Sequence, residues 1–76
     1  MLTNLFEAPS KKGMRIIQIT GGEGLRRRLV NMGIREGTTL IKLTPAGSKG
    51  PVVVKLGNTQ IALGRGMAFK ILVDIQ

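Results

Sequence analysis

Apolar residues recur along this chain in short segments, and their spacing marks the elements one by one. Met14 to Ile19 reads as a first strand, with Ile17 and Ile19 on one face and Ile16 on the other. Thr20-Gly21-Gly22-Glu23-Gly24 breaks that alternation, and Thr20 and Glu23 stand at capping-box spacing. From Leu25 to Met32 the period becomes helical: Leu25, Leu29 and Met32 fall at i, i+4 and i+7, while Arg26 and Arg27 point elsewhere. The glycines weigh against a helix start at Thr20 and favour one nearer Glu23. Gly33 follows as a left-handed stop.

Everything beyond Gly37 reads as strand and turn. Thr38 to Thr44 forms a strand, and Pro45 to Pro51 a loop. Val52 to Leu56 and Thr59 to Leu63 are paired across the two-residue turn Gly57-Asn58, with Lys55 facing away from Val54 and Leu56. Gly64-Arg65-Gly66 turns again. Phe69, Ile71, Val73 and Ile75 then alternate with Lys70 and Asp74 in a half-buried last strand. The pattern predicts a mostly β fold, a small barrel of about five strands with one short helix inserted after the first. Closure would remove exposed edges, and the Leu25/Leu29/Met32 stripe would cap one barrel end. Residues 1–13 are expected to form a partly mobile lead-in, and residues 14–76 the domain.

Seventy-six residues hold one domain with a thin stability margin, since such a chain buries only roughly 60–65% of its unfolded surface. No basic leader with an apolar core and no membrane-length apolar run is visible, so a soluble, cytoplasmic protein is expected. Cys is absent, which fits a reducing compartment, and with His also missing the usual transition-metal ligands are gone. With Tyr also missing, the common general bases and nucleophiles are gone. Glu7, Glu23, Glu36 and Asp74 are scattered. Ser10-Lys11 and Ser48-Lys49 lie in Gly/Pro-rich segments unsuited to a nucleophile. No enzymatic activity, cofactor or intrachain metal site is expected, and Met14, Met32 and Met67 read as core filler. Gly22-Glu23-Gly24 fails as a dinucleotide motif because Arg27 stands at its third glycine.

Charge is the positive signal. Twelve Lys and Arg against four Asp and Glu give +8, which favours an acidic partner. Arg26-Arg27-Arg28 is its densest cluster, and Arg35 extends it. The triplet reads either as a docking surface suited to carboxylate or phosphate or as the helix's solvated face. Nucleic acid is the rival partner. It is disfavoured because Phe69 falls in the buried phase of its strand, leaving no aromatic for base stacking. A Pro-rich peptide is disfavoured by the missing aromatic groove.

The run Gly24-Leu25-Arg26-Arg27-Arg28-Leu29-Val30-Asn31-Met32-Gly33-Ile34-Arg35-Glu36-Gly37-Thr38 closely resembles the FeoA family. Its pattern there is a Gly, an Arg-rich helix ending in Leu-x-x-Met-Gly, and a further Gly. Pro45, the Gly47-to-Pro51 loop, Ile61-Ala62-Leu63 and Ala68 follow the family's order, so the resemblance runs from about Met14 to Ile75. Gly64-Arg65-Gly66-Met67 departs from the family's pattern, and the N-terminal lead-in is longer and more basic than is typical. The resemblance implies an SH3-like β-barrel and a role in ferrous iron uptake. It implies docking on the cytoplasmic part of the membrane transporter FeoB, near an anionic membrane surface. It transfers no metal ligand and no cofactor. The docking residues expected are Arg26, Arg27, Arg28, Asn31, Met32, Gly33, Ile34 and Arg35.

Overall fold

The last strand lies at the centre of the fold's long-range pairing. The computed structural model describes residues 1–76. In chain order it contains β1 (Leu2–Asn4), β2 (Gly13–Ile19), α1 (Glu23–Asn31), β3 (Thr39–Lys42), β4 (Val52–Leu56), β5 (Thr59–Leu63), α2 (Arg65–Phe69) and β6 (Ile71–Ile75). The strands form one antiparallel sheet in the order β1-β6-β2-β3-β4-β5. The sheet coils around a single core as an SH3-like barrel. It is not closed by hydrogen bonds, because β1 and β5 are both edges.

The alternation read from the sequence sets most inward residues. Leu40, Val52, Val54, Leu63, Ile71 and Val73 are buried, and Lys55 faces out. Each fully buried Leu, Ile or Val contributes about 1.5–3 kcal/mol. In β2 the phase differs from expectation. Ile16 opposes Val73 and Gln18 opposes Leu72, so Ile17 is an extra residue in a bulge. Met14, Ile16 and Ile19 therefore face the core, and Ile17 is 39% exposed.

The segment expected to precede the domain contributes to it. β1 pairs with β6 through Leu2–Asp74, Thr3–Val73 and Asn4–Leu72. Leu5 and Ala8 are fully buried, so residues before Met14 supply part of the core. Nearby, Gly64-Arg65-Gly66 opens a helical turn and not a simple bend. The Ala68 amide donates to the Gly64 carbonyl at 3.0 Å, and β6 begins only at Ile71.

Helix α1 starts at Glu23 with Gly22 as its N-cap and no side-chain capping bond. The Thr20–Glu23 capping box does not form, because Thr20 bonds elsewhere: its amide and hydroxyl both reach the Lys70 carbonyl, at 2.8 and 3.2 Å. At the C-terminus, the Ile34 amide donates to the Leu29 carbonyl and the Gly33 amide to the Val30 carbonyl, both at 2.9 Å. This is a Schellman motif, and its turn needs the positive φ of 88° that Gly33 supplies. Leu29 and Ile34, the positions such a motif usually brings together, are both fully buried in the one core cluster. Leu25 and Met32 pack on the core at half-burial.

Candidate docking surface

The four arginines read as one surface have different fates. Arg26 is taken up within the molecule: its Nε and Nη2 donate to the two carboxylate oxygens of Glu36, at 3.2 and 2.8 Å. That fork-to-fork bond ties α1 to the loop before β3. Arg27, Arg28 and Arg35 are exposed, and neither of the molecule's two ion pairs involves them. On α1, Arg27 and Asn31 stand one turn apart on the side opposite Leu29. Gly33 is exposed beyond them, and Met32 is half-buried.

Ile34 is buried at 0% exposure, so its side chain belongs to the core and not to the surface. Of the expected docking residues, Arg27, Arg28, Asn31, Gly33 and Arg35 are thus exposed, Arg26 and Met32 half-buried and Ile34 buried. The Arg26 guanidinium, first through its hydrogen bond, holds the Glu36 carboxyl below its ordinary value of 4.5. A depressed carboxylate contributes stability above its unfolded value and loses it as pH falls through the folded one. Below pH 4.5 the wild type is therefore expected to lose melting temperature more steeply than Glu36→Gln, which starts lower and lacks this slope. Parallel melting curves against pH would contradict the pairing.

Phe69, expected inside, is 49% exposed at the end of α2. Its ring stacks on Phe6 with centroids 4.5 Å apart and planes at 26°. The Arg65 guanidinium lies 5.5 Å from the centre of the Phe6 ring. The helical turn at residues 65–69 displaces Phe69 from the alternation that begins at Ile71. On the outer sheet, Gly13, Thr39, Leu40, Ile41, Lys55 and Gly57 line an open depression of about 370 Å³.

Lys42 is the buried charge that the sequence reading passed over. It is fully buried in β3, and its Nζ donates to the Phe6 and Ala8 carbonyls, each at 2.6 Å. Burial pushes its pKa below the usual lysine range. The signal was present in the alternation, since Lys42 shares the inward phase of Leu40. No three His, Cys, Asp or Glu side chains come together anywhere in the fold.

Barrel, helical insertion and exposed arginines define a small SH3-like domain whose distinguishing surface is basic. Residues 3–75 match the FeoA domain family. The chain belongs to that family, whose role lies in ferrous iron transport. A Methanocaldococcus jannaschii protein assigned as Fe(2+) transport protein A is 39% identical over 67 residues, covering 86% of this chain and 79% of its own. The crystal structure of an iron uptake regulatory protein, FeoA, superposes with a TM-score of 0.88 at 30% identity, covering 100% of this chain and 99% of that one. The solution structure of iron(II) transport protein A from Clostridium thermocellum gives a TM-score of 0.84 at 27% identity, over 96% of this chain and 45% of that one.

Proposed function

We propose that this protein is a non-enzymatic, cytoplasmic accessory of ferrous iron uptake that docks on the cytoplasmic part of a FeoB-type transporter and modulates it. The observation that carries the reading is the set of exposed guanidinium groups at Arg27, Arg28 and Arg35 without an acidic partner in their own chain. Guanidinium pairs bidentately with carboxylate, so an acidic protein face is the natural complement. Asn31 adds a neutral donor and acceptor on the same side of α1. No helix here is long and apolar enough to cross a membrane. The net charge of +8 would favour residence near an anionic bilayer once the transporter is bound. Ferrous ion is the cargo of the transporter in this reading.

The test is direct titration of the purified protein with the cognate transporter's cytoplasmic part. Saturable binding that weakens with salt is expected, and no complex at high micromolar concentration would overturn the proposal.

One observation favours nucleic acid as a second reading: Phe69, stacked on Phe6 through one face of its ring, is 49% exposed. Binding to single-stranded RNA with a steep log–log salt slope would support that reading. Absence of binding at moderate salt would dispose of it.

A further inference from the structure

The two edges of the sheet are unequally protected. β1 is three residues long, and the chain's terminal amine bonds to Asp74 of β6 beside it, at 2.7 Å. β5 is five residues long and pairs only with β4.

Hairpin geometry decides which groups β5 leaves open. Gly57 has a positive φ of 57° and Leu56 opposes Thr59, so the loop is the two-residue turn Gly57-Asn58. In such a hairpin the closing pair, Leu56 and Thr59, exchanges hydrogen bonds, and so does every second pair beyond it. Val54–Ile61 and Val52–Leu63 are therefore bonded pairs. Gln60 and Ala62 direct their backbone N–H and C=O groups away from β4, and neither has a backbone bond outside the ladder. Both residues are exposed.

Edge strands are commonly blunted by lysine, proline or a bulge. This one has none of them. The stretch between Lys55 and Arg65 is the longest run without a charge in the chain, although sixteen charged residues are distributed through the rest.

We propose that the β5 edge receives an extended, acidic segment of a partner protein by strand addition, bonding to the backbone of Gln60 and Ala62. Charge selects the occupant. A second copy would bring a second body of charge +8 against the first, whereas an acidic strand meets a complementary field. Lys55 stands opposite Gln60 on the outer face of β4 and makes no ion pair. A carboxylate facing Gln60 on an added strand would lie two strand spacings from Lys55, about 9–10 Å. That distance is comparable to the screening length at physiological salt. The site is separate from the arginines of α1 and stands whether or not the transporter is the partner.

The experiment is residue-resolved amide exchange by NMR on the full chain. The probe is a short capped peptide alternating valine with glutamate, compared with its valine–lysine counterpart. Exchange at Gln60 and Ala62 is expected to slow about tenfold at saturating acidic peptide. The lysine peptide should leave it unchanged. Ala62→Pro removes an edge donor that β4 does not use and should abolish the protection. Gln60→Glu keeps all backbone groups and should weaken it by charge alone, which covers the case in which the proline variant misfolds. Protection elsewhere, no protection, or equal protection by both peptides would overturn the proposal. Protection that grows with protein concentration without peptide would also overturn it, by assigning the edge to a second copy.

Discussion

Lys42→Ala is expected to lower unfolding free energy by about 3–5 kcal/mol. The Phe6 and Ala8 carbonyls would lose the donor that holds each at 2.6 Å. An unsatisfied buried polar group costs about 1–3 kcal/mol, and the deleted side chain leaves a cavity as well. A chain of this length has about 4–11 kcal/mol in total. The variant should therefore be marginal at room temperature. Lys42→Met keeps the stem and should be milder. The effect should be strongest in the N-terminal segment, because the ammonium bridges β3 to residues 6 and 8. Denaturant titration of both variants measures the effect, and a loss below about 1 kcal/mol would contradict it.

The same residue makes a signed pH prediction. Its pKa is lowered in the folded state by burial, so the unfolded chain binds the extra proton between the folded value and 10.5. Stability must then rise with pH through that window, because charged Lys42 is the penalised form. The neutral amine still has two N–H groups for the two carbonyls. The stability difference between wild type and Lys42→Met should grow as pH rises toward 10.5. A difference that stays flat would show that burial does not disfavour the charged form.

Leu29→Ala is the second large effect, at about 3 kcal/mol. Leu29 is the only buried residue within α1, and its carbonyl accepts the Schellman bond from Ile34. Neighbouring Leu25 and Met32 are only half-buried and cannot replace that anchor. A nine-residue helix is unstable by itself, so its formation depends on this packing. Losing the anchor should depress the melting temperature by about 12–24 °C for a domain of this size. Amide protection in α1 should fall further than in β2 and β6. If α1 kept wild-type protection, the helix would be held by something other than Leu29.

What the sequence displayed and what it concealed divide along the range of the interactions. Alternation in β4 and β5 and the helical stripe of α1 are local, and they position core residues such as Val54 and Leu29. The Gly33 stop was likewise readable, because Leu-x-x-Met-Gly carries its own turn. β1 was not readable: its three residues are a strand only because β6, at the other end of the chain, pairs with them. The bulge at Ile17 is set by the register against β6 and leaves no composition signal. A five-residue α2 with Gly64 before it and Gly66 within it looks like a turn until Ala68 is seen buried.

The docking surface shows the same division. The Arg26–Glu36 pair spans ten residues and the end of the helix, outside the i+4 spacing that a helix face would reveal. Three adjacent arginines therefore looked equivalent, although one of them is an internal tie. Ile34 lay within the recognised motif, and its burial follows from its place in the Schellman turn. Arg26 is ion-paired and Ile34 buried, so the exposed polar side chains of the expected set, Arg27, Arg28, Asn31 and Arg35, are the groups to test.

The most direct measurement is calorimetric titration of the cognate transporter's cytoplasmic part with wild type and with the combined Arg27→Ala, Arg28→Ala, Arg35→Ala variant. None of the three side chains is buried or ion-paired, so the variant should fold with nearly wild-type stability. Docking through these groups predicts that its affinity falls about a hundredfold, as expected when several charge-assisted contacts are lost together. Equal affinity for the two proteins would contradict docking through α1.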